Sequence, residues 1–314
     1  MTATIMLAKG YDPAKIKFPA MVSEKLDGVP AKIHISVTSG IYPPSTIPTE
    51  RTVITAQTRQ SKPFVSIRSQ VAAFGDHLMR LGCLGTFVFV AEVTHKDHTM
   101  PFKDVSGHCR RQAPHDELVL NVFDFYKPTL EGPDPLPFGK RILLAQHLVR
   151  DMFWCKMIPQ ILVRDPVELA SALSRMKMAR GDFIPEGAII RSCHDIWEEG
   201  KRGWGYQKVV DDPTMELLVH SYEEAKSKDG EPLGMVGRIN CYYKDEVIGV
   251  GPGKMTHAER TSEWNFNSQR GQMWTDGVVC TVKYKRDDSY SALRQPTFQH
   301  FRPEMKGTIA YPEE

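Results

Sequence analysis

The chain has 314 residues, enough for about two domains that bury their own cores without disulfide staples. Apolar residues make up 41% and charged residues 25%, and 40 basic against 38 acidic side chains leave a net charge of +2. This excludes a strongly basic coat protein or a polyelectrolyte tail, while a local basic groove for nucleic acid remains compatible with it. No apolar run of about 18 residues occurs, so no membrane partner is expected, and Met1 to Gly10 is too short and weakly apolar for a secretory signal. The six cysteines are scattered without a C-x-x-C pair, which reads as reduced, mostly buried thiols in a cytoplasmic protein.

In chain order, Ala31 to Val37 alternates apolar and polar residues and predicts a strand. Val65 to Leu81 predicts a helix with Ser66 as its cap. Thr86 to Val93 and Glu117 to Phe125 are apolar runs that carry Glu92 and Asp124 near one end, and Ala188 to Arg191 follows Glu186-Gly187. Three buried strands with an acid at or beside one end suggest one sheet presenting carboxylates to a cleft. After the Pro- and Gly-rich loop Pro128 to Pro137, Phe138 to Phe153 predicts a second helix. Pro166 to Met178 predicts a third, with Asp165 as cap and Pro166 at the first position.

Asp211-Asp212-Pro213 reads as a turn or linker. Beyond it, Leu217 to Tyr222, Met235 to Tyr243, Glu246 to Val250 and Gly277 to Lys285 predict short strands around one short helix, Thr256 to Trp264. About five strands in some 100 residues is the size of a Greek-key barrel of the oligonucleotide/oligosaccharide-binding type. Residues 1–211 hold 27 basic and 22 acidic side chains and residues 212–314 hold 13 and 16, a modest shift at the same place.

Ser23-Glu24-Lys25-Leu26-Asp27-Gly28-Val29 places a lysine beside acids and a glycine turn, ahead of a strand. A lysine is a nucleophile only when neutral, a state favoured by burial or neighbouring cations. A K-x-D-G surface turn also arises by chance. Here it is followed in order by Thr58-Arg59, Glu92, Phe123-Asp124, Glu186-Gly187-Ala188-Ile189-Ile190-Arg191 and Gly203-Trp204-Gly205-Tyr206-Gln207-Lys208.

Six elements in this order across about 185 residues resemble the motifs of the covalent nucleotidyltransferase superfamily: DNA ligases, RNA ligases and capping enzymes. Val279 to Tyr284, Leu293 to Phe298 and Phe301-Arg302 look like the C-terminal end of small bacteriophage ATP-dependent DNA ligases. Val250-Gly251-Pro252-Gly253, with Arg260 seven residues on, is similar to a turn and helix in their barrel domain.

The resemblance implies an α+β chain. Residues 1–211 would be an adenylation domain with antiparallel sheets and flanking helices, and residues 212–314 an OB-fold barrel. It implies nick sealing in duplex DNA by a monomer, with ATP and Mg²⁺. Lys25 would be the nucleophile that takes AMP. Glu24 would lie at the adenine edge with Leu26 beside it, and Phe123 would stack on the base. Arg59 would approach the ribose or the nick. Glu92 would hold ribose hydroxyls or a metal, and Glu186 the Mg²⁺. Arg191 stands where the family has a basic residue, and Lys208 would meet the α-phosphate.

Two positions depart from the family. Pro30 replaces the arginine of K-x-D-G-x-R, with Lys32 as a candidate substitute. Tyr206 replaces the first of two lysines, with Lys201 and Arg202 as candidate substitutes. Arg294 and Arg302 alternate with apolar residues, as a solvated strand face would. The resemblance gives them phosphate or DNA contacts.

The alternatives are an RNA ligase or capping-type enzyme on the same scaffold, and an inactive DNA-binding relative. His95, His98, His108 and Cys109 have no common zinc spacing and read as loop histidines beside phosphates or solvent. Gly249 to Lys254 fails as a P-loop, because Ile248 and Met255 stand where glycine and Ser/Thr are needed.

Overall fold

In a computed structural model, the described residues are 5–41, 48–129, 132–133, 135–178, 187–210, 212–268, 277–285 and 292–302. The chain separates into two compact units, Met1–Asp211 and Asp212–Glu314.

Unit 1 begins with β1 (Lys9–Gly10), β2 (Ala20–Glu24), the long hairpin β3 (Val29–Ile41) and β4 (Pro48–Thr58), then α1 (Arg68–Arg80). β5 (Gly85–His95), α2 (Phe102–Cys109) and β6 (Leu118–Tyr126) follow. The ribbon β7 (Pro128–Thr129) and β8 (Gly132–Pro133) leads into α3 (Phe138–Val149). β9 (Cys155–Met157), β10 (Ile161–Val163), α4 (Pro166–Met178), β11 (Ala188–Ser192) and β12 (Tyr206–Val209) complete it.

The strands form two five-stranded sheets, β4-β3-β5-β6-β9 and β1-β12-β11-β2-β10. Pairing is antiparallel except for β6 with β9 and β1 with β12. The acid-bearing strands are therefore not all in one sheet: β11 lies in the second.

Period-2 alternation decides what each face carries. On β5, Phe87, Phe89, Ala91 and Val93 pack in the larger core with Phe74 and Leu78 of α1 and Ala145 and Leu148 of α3. Val88 and Val90 point the other way, into a cluster with Tyr126 of β6, Trp197, and Tyr206 of β12 in the second sheet. Ala20, Val22, Ala188 and Ile190 pack against Leu169 and Ala172 of α4. Unit 1 thus has helices outside both sheets and a shared inner face between them.

α4 begins as its sequence predicts: the Asp165 carboxylate accepts from the Val167 and Glu168 N–H groups at 2.8 Å each. Ser66 does not cap α1. A 3-10 turn over Val65–Ile67 precedes the helix, and the buried Ser66 hydroxyl donates to the Cys109 carbonyl at the end of α2. α3 stops at Val149, because Arg150 adopts an extended ψ of 155° and Asp151 a φ of 64°.

Unit 2 contains β13 (Thr214–Lys226), β14 (Pro232–Tyr243), β15 (Glu246–Val250), α5 (His257–Ser268), β16 (Val279–Lys285) and β17 (Arg294–Arg302). The strand order is β15-β14-β13-β16-β17, all antiparallel, around a core that includes Val219, Tyr222, Ile239, Cys241, Cys280 and Val282. Among the described residues the outer strands form no continuous ladder. A parallel bridge from Gly251 to Thr297 and backbone bonds from Gly251 to Pro296 and Phe298 join them. The Gly251–Lys254 turn is therefore a sheet-edge device.

α5 opens with a capping box. The Thr256 hydroxyl accepts from the Glu259 N–H, and the Glu259 carboxylate accepts from the Thr256 N–H at 2.7 Å. No helix among the described residues is long and apolar enough to cross a membrane.

Candidate functional site

Lys25 follows the last residue of β2, and its N–H donates to the Gly187 carbonyl at 2.9 Å. Gly187 has a φ of +142°, and a Cβ there would stand 2.0 Å from the Val209 carbonyl oxygen, so the chain can enter β11 here only as glycine. Gly28 solves a second close approach. A Cβ on it would lie 2.5 Å from the Val93 carbonyl oxygen and 2.9 Å from Cγ of Glu92. K-x-D-G thus lets the turn settle onto β5 with Lys25 and Glu92 side by side.

Glu92 lies on the inner face, in register with Pro30 of β3 and Asn121 of β6. Burial raises its carboxyl from 4.5 to about 7. The Lys25 charge, the Gly28 N–H bond and Arg59 pull it down, while Asp27 pushes it up. Of the residues expected at this site, Lys25, Arg59 and Glu92 are brought together, with Asp27 added. Arg59 is exposed in the turn after β4. Glu186 lies outside the described residues.

The sign of the Glu92 effect is fixed. With a folded-state value above the unfolded one, the folded chain binds more protons between pH 4.5 and about 7. Stability from this group is present at low pH and lost as pH rises through that window. Glu92→Gln is expected to stabilise the nucleotide-free chain at pH 8 by on the order of 2 kcal/mol and to flatten the dependence across the window. Urea midpoints at pH 5 and pH 8 measure this. An equal shift at both values would rule out the buried charge as its cause.

Phe123 reaches the inner face through a bulge. The β5–β6 pairing steps from Val90–Asp124 to Ala91–Val122, leaving Phe123 without a cross-strand partner. Phe123 and Asp124 therefore both face inward, between Val122 and Phe125 of the outer core. Phe123 joins the inner cluster with Ile189 of β11, both only partly buried. Lys208 is exposed on β12 directly opposite Ile189, and Lys201 and Arg202 are exposed before that strand. Trp204 is exposed, with the Lys9 ammonium 4.0 Å from its ring centroid. Glu24 and Leu26 flank Lys25 and are partly buried.

Five of the expected contact residues are buried or paired within the protein. Arg191 is buried and bound to Asp124 and to Asp195 at 2.9 Å, with its guanidinium carbon 4.7 Å from the Tyr206 ring centroid. Tyr206 is buried in the inner cluster, and burial pushes its hydroxyl up to about 12. Lys32 is buried and bonds Glu199 at 2.8 Å, so its charge is already matched. In unit 2, Arg294 is buried in β17 and Arg302 pairs with Glu216 at 2.6 Å.

The sequence reading missed the partner that organises this region. Arg141 of α3 is fully buried and donates to both carboxylate oxygens of Asp124, at 2.9 and 3.1 Å. Its signal was available: Phe138, Arg141, Ile142 and Ala145 share one helical face, so an arginine was due in the core beside a buried acid.

No family model matches the chain. Over 215 residues it is 26% identical to a probable DNA ligase of Saccharopolyspora erythraea, a match covering 62% of this chain and 39% of that relative. The match thus spans well under half of the relative's length. Among solved structures, one named Pmar-Lig_Pre. aligns with a TM-score of 0.73 at 19% identity, over 96% of this chain and 68% of that one. A structure from work on DNA binding with a minimal scaffold in Lig E DNA ligases aligns at 0.62 and 17%, over 96% and 100%. The ATP-dependent DNA ligase from bacteriophage T7, in complex with ATP, aligns at 0.52 and 16%, over 95% and 98%. The chain is similar in sequence to a probable DNA ligase and has the α+β fold of DNA ligase structures.

Proposed function

We propose that the chain is an ATP-dependent DNA ligase that seals 5′-phosphate/3′-hydroxyl nicks. Unit 1 is its adenylation domain and unit 2 an OB-type domain, and it acts as a monomer. The observation that carries this reading is the junction at Glu92, which feels the charges of Lys25, Asp27 and Arg59, with Lys25 held at its backbone by Gly187. Beside that junction stand two partly exposed apolar side chains on facing sheets, Phe123 and Ile189. A flat base slotted between them gains apolar contact on both sides. The 26% identity to a probable DNA ligase supports the same reading.

Neutral Lys25 Nζ attacks the α-phosphorus of ATP, the bond to the β-phosphate breaks, and pyrophosphate leaves. AMP then passes from Nζ to the 5′-phosphate of the nick. The 3′-hydroxyl attacks that phosphate, and AMP leaves. Covalent catalysis divides one condensation into steps with good leaving groups. Lys208, with Lys201 and Arg202 ahead of it, would match the charge that develops on the phosphates. Glu92 suits Mg²⁺ as a hard oxygen donor, with Glu186 as the second carboxylate, and the ion would neutralise phosphate charge when bound. The Glu92 carboxylate and the Lys25 ammonium attract one another.

A substrate panel tests the reading: nicked DNA with ATP, nicked RNA with ATP, and diphosphate-ended RNA with GTP. Sealing of nicked DNA and little product elsewhere is the expected result. RNA joining or GTP transfer would move the chain to another branch of the superfamily. A gel shift on nicked DNA without sealing or labelling would make it an inactive binding relative.

A further inference from the structure

We propose that His95, His115 and Glu117 form a binding site for a divalent transition ion of the zinc class, away from Lys25. Their candidate ligand atoms, two imidazole nitrogens and a carboxylate oxygen, all lie within 4.8 Å of one another. His95 Nε2 stands 3.2 Å from Glu117 Oε2. Two donors sharing a tetrahedral zinc at ordinary bond lengths are about 3.4 Å apart, so an ion fits between these two with little movement. Two imidazoles and one carboxylate are the donor set of many zinc sites, and nitrogen donors disfavour Mg²⁺.

The surroundings support a site built to hold a ligand. The His115 N–H donates to the Ser66 carbonyl at 2.8 Å, and its own carbonyl accepts from Gln70 at 2.8 Å. The residue is pinned while its Nε2 is buried without a hydrogen-bond partner. His108 Nδ1 is in the same condition, and its ring centroid lies 4.3 Å from that of His115. Buried polar nitrogens without partners are costly, and a bound ion removes that cost for His115. Glu117 is about half-exposed and gives the ion a way in.

Binding has two local costs. Glu117 must share its carboxylate with Lys96, which pairs with Oε1 while the ion would take Oε2. The His95 proton must move to Nδ1, which now accepts from the Asp97 N–H at 3.0 Å, so that contact breaks. In return the ion ties the end of β5, the strand of Glu92, to the start of β6, the strand of Phe123.

Calorimetric titration of the chelator-stripped full chain with ZnCl₂, in excess Mg²⁺, tests this. One equivalent should bind with a Kd below about 10 μM and raise the melting temperature. The Asp97 amide should lose exchange protection. His115→Ala and Glu117→Gln should each weaken binding at least ~10-fold, while exposed His98→Ala leaves it unchanged. Glu117→Gln, at a half-exposed position, keeps the test sound if His115→Ala unsettles the fold. No binding by the wild type, or equal binding by Glu117→Gln, overturns the site. The readout is independent of nick sealing, so the two readings fail separately.

Discussion

The Lys25→Ala chain is expected to gain no mass on incubation with ATP and Mg²⁺, whereas the wild-type chain gains one AMP. Lys25 lies outside the hydrophobic clusters and is tied to Gly187 through its backbone N–H, which alanine keeps. The substitution therefore removes the amine and leaves the turn. Nick sealing should fall by at least ~10⁴-fold, as when a covalent nucleophile is deleted. Lys25→Arg should be as inactive, because a guanidinium does not lose its proton near neutral pH. Intact-protein mass spectrometry settles the first point. A wild-type chain purified already carrying AMP would show no gain, so a pyrophosphate arm, which strips AMP by reversing the step, belongs to the experiment. An AMP adduct on Lys25→Ala would remove Lys25 from its proposed role.

The second large effect is on stability. Asp124 is fully buried and accepts from Arg141, Arg191 and the Phe125 N–H. Arg141 and Arg191 are themselves buried, so Asp124→Ala leaves two guanidiniums facing a vacated site. Arg191 retains Asp195, and Arg141 retains the carbonyls of Leu136 and Asp195. Breaking such a pair costs about 3–5 kcal/mol, a large part of an ordinary domain's stability. Asp124→Asn keeps the shape and loses the charge, and should fall between wild type and Ala. Denaturant midpoints with unchanged slope measure both. A loss below about 1 kcal/mol for Asp124→Ala would show that the network contributes little. Because Arg191 comes from β11 and Asp124 from β6, the same cut loosens the two sheets around Phe123 and Ile189.

Strand alternation was readable at Ala31 to Val37, within β3, while its partner β4 was not predicted. The apolar run Thr86 to Val93 predicted β5, and the structure places Glu92 on its face with Val88 and Val90. α4 and its Asp165 cap were readable because capping is local chemistry. α2 was missed: Phe102 to Cys109 mixes glycine, serine and histidine in a helix of only eight residues, too short for periodicity to show. The histidines there read as a loop facing phosphate or solvent. His98 is exposed as expected, while His95 and His108 pack ring against ring with His115, which arrives from a loop that spacing cannot connect to His95.

The sequence by itself determined the order of the motifs, the lysine beside its acids, and the glycines at 28 and 187 that allow the close approaches there. Those are properties of neighbouring residues or of backbone sterics, and they survive without knowing the fold. Only the tertiary structure decided which cations are spent. Arg191, Lys32 and Arg302 each face a carboxylate brought from elsewhere in its unit. A charge near the motifs becomes a ligand contact or a structural tie according to what the fold places opposite it. That partner is set by sheet register and by one bulge at Phe123, which local sequence does not encode.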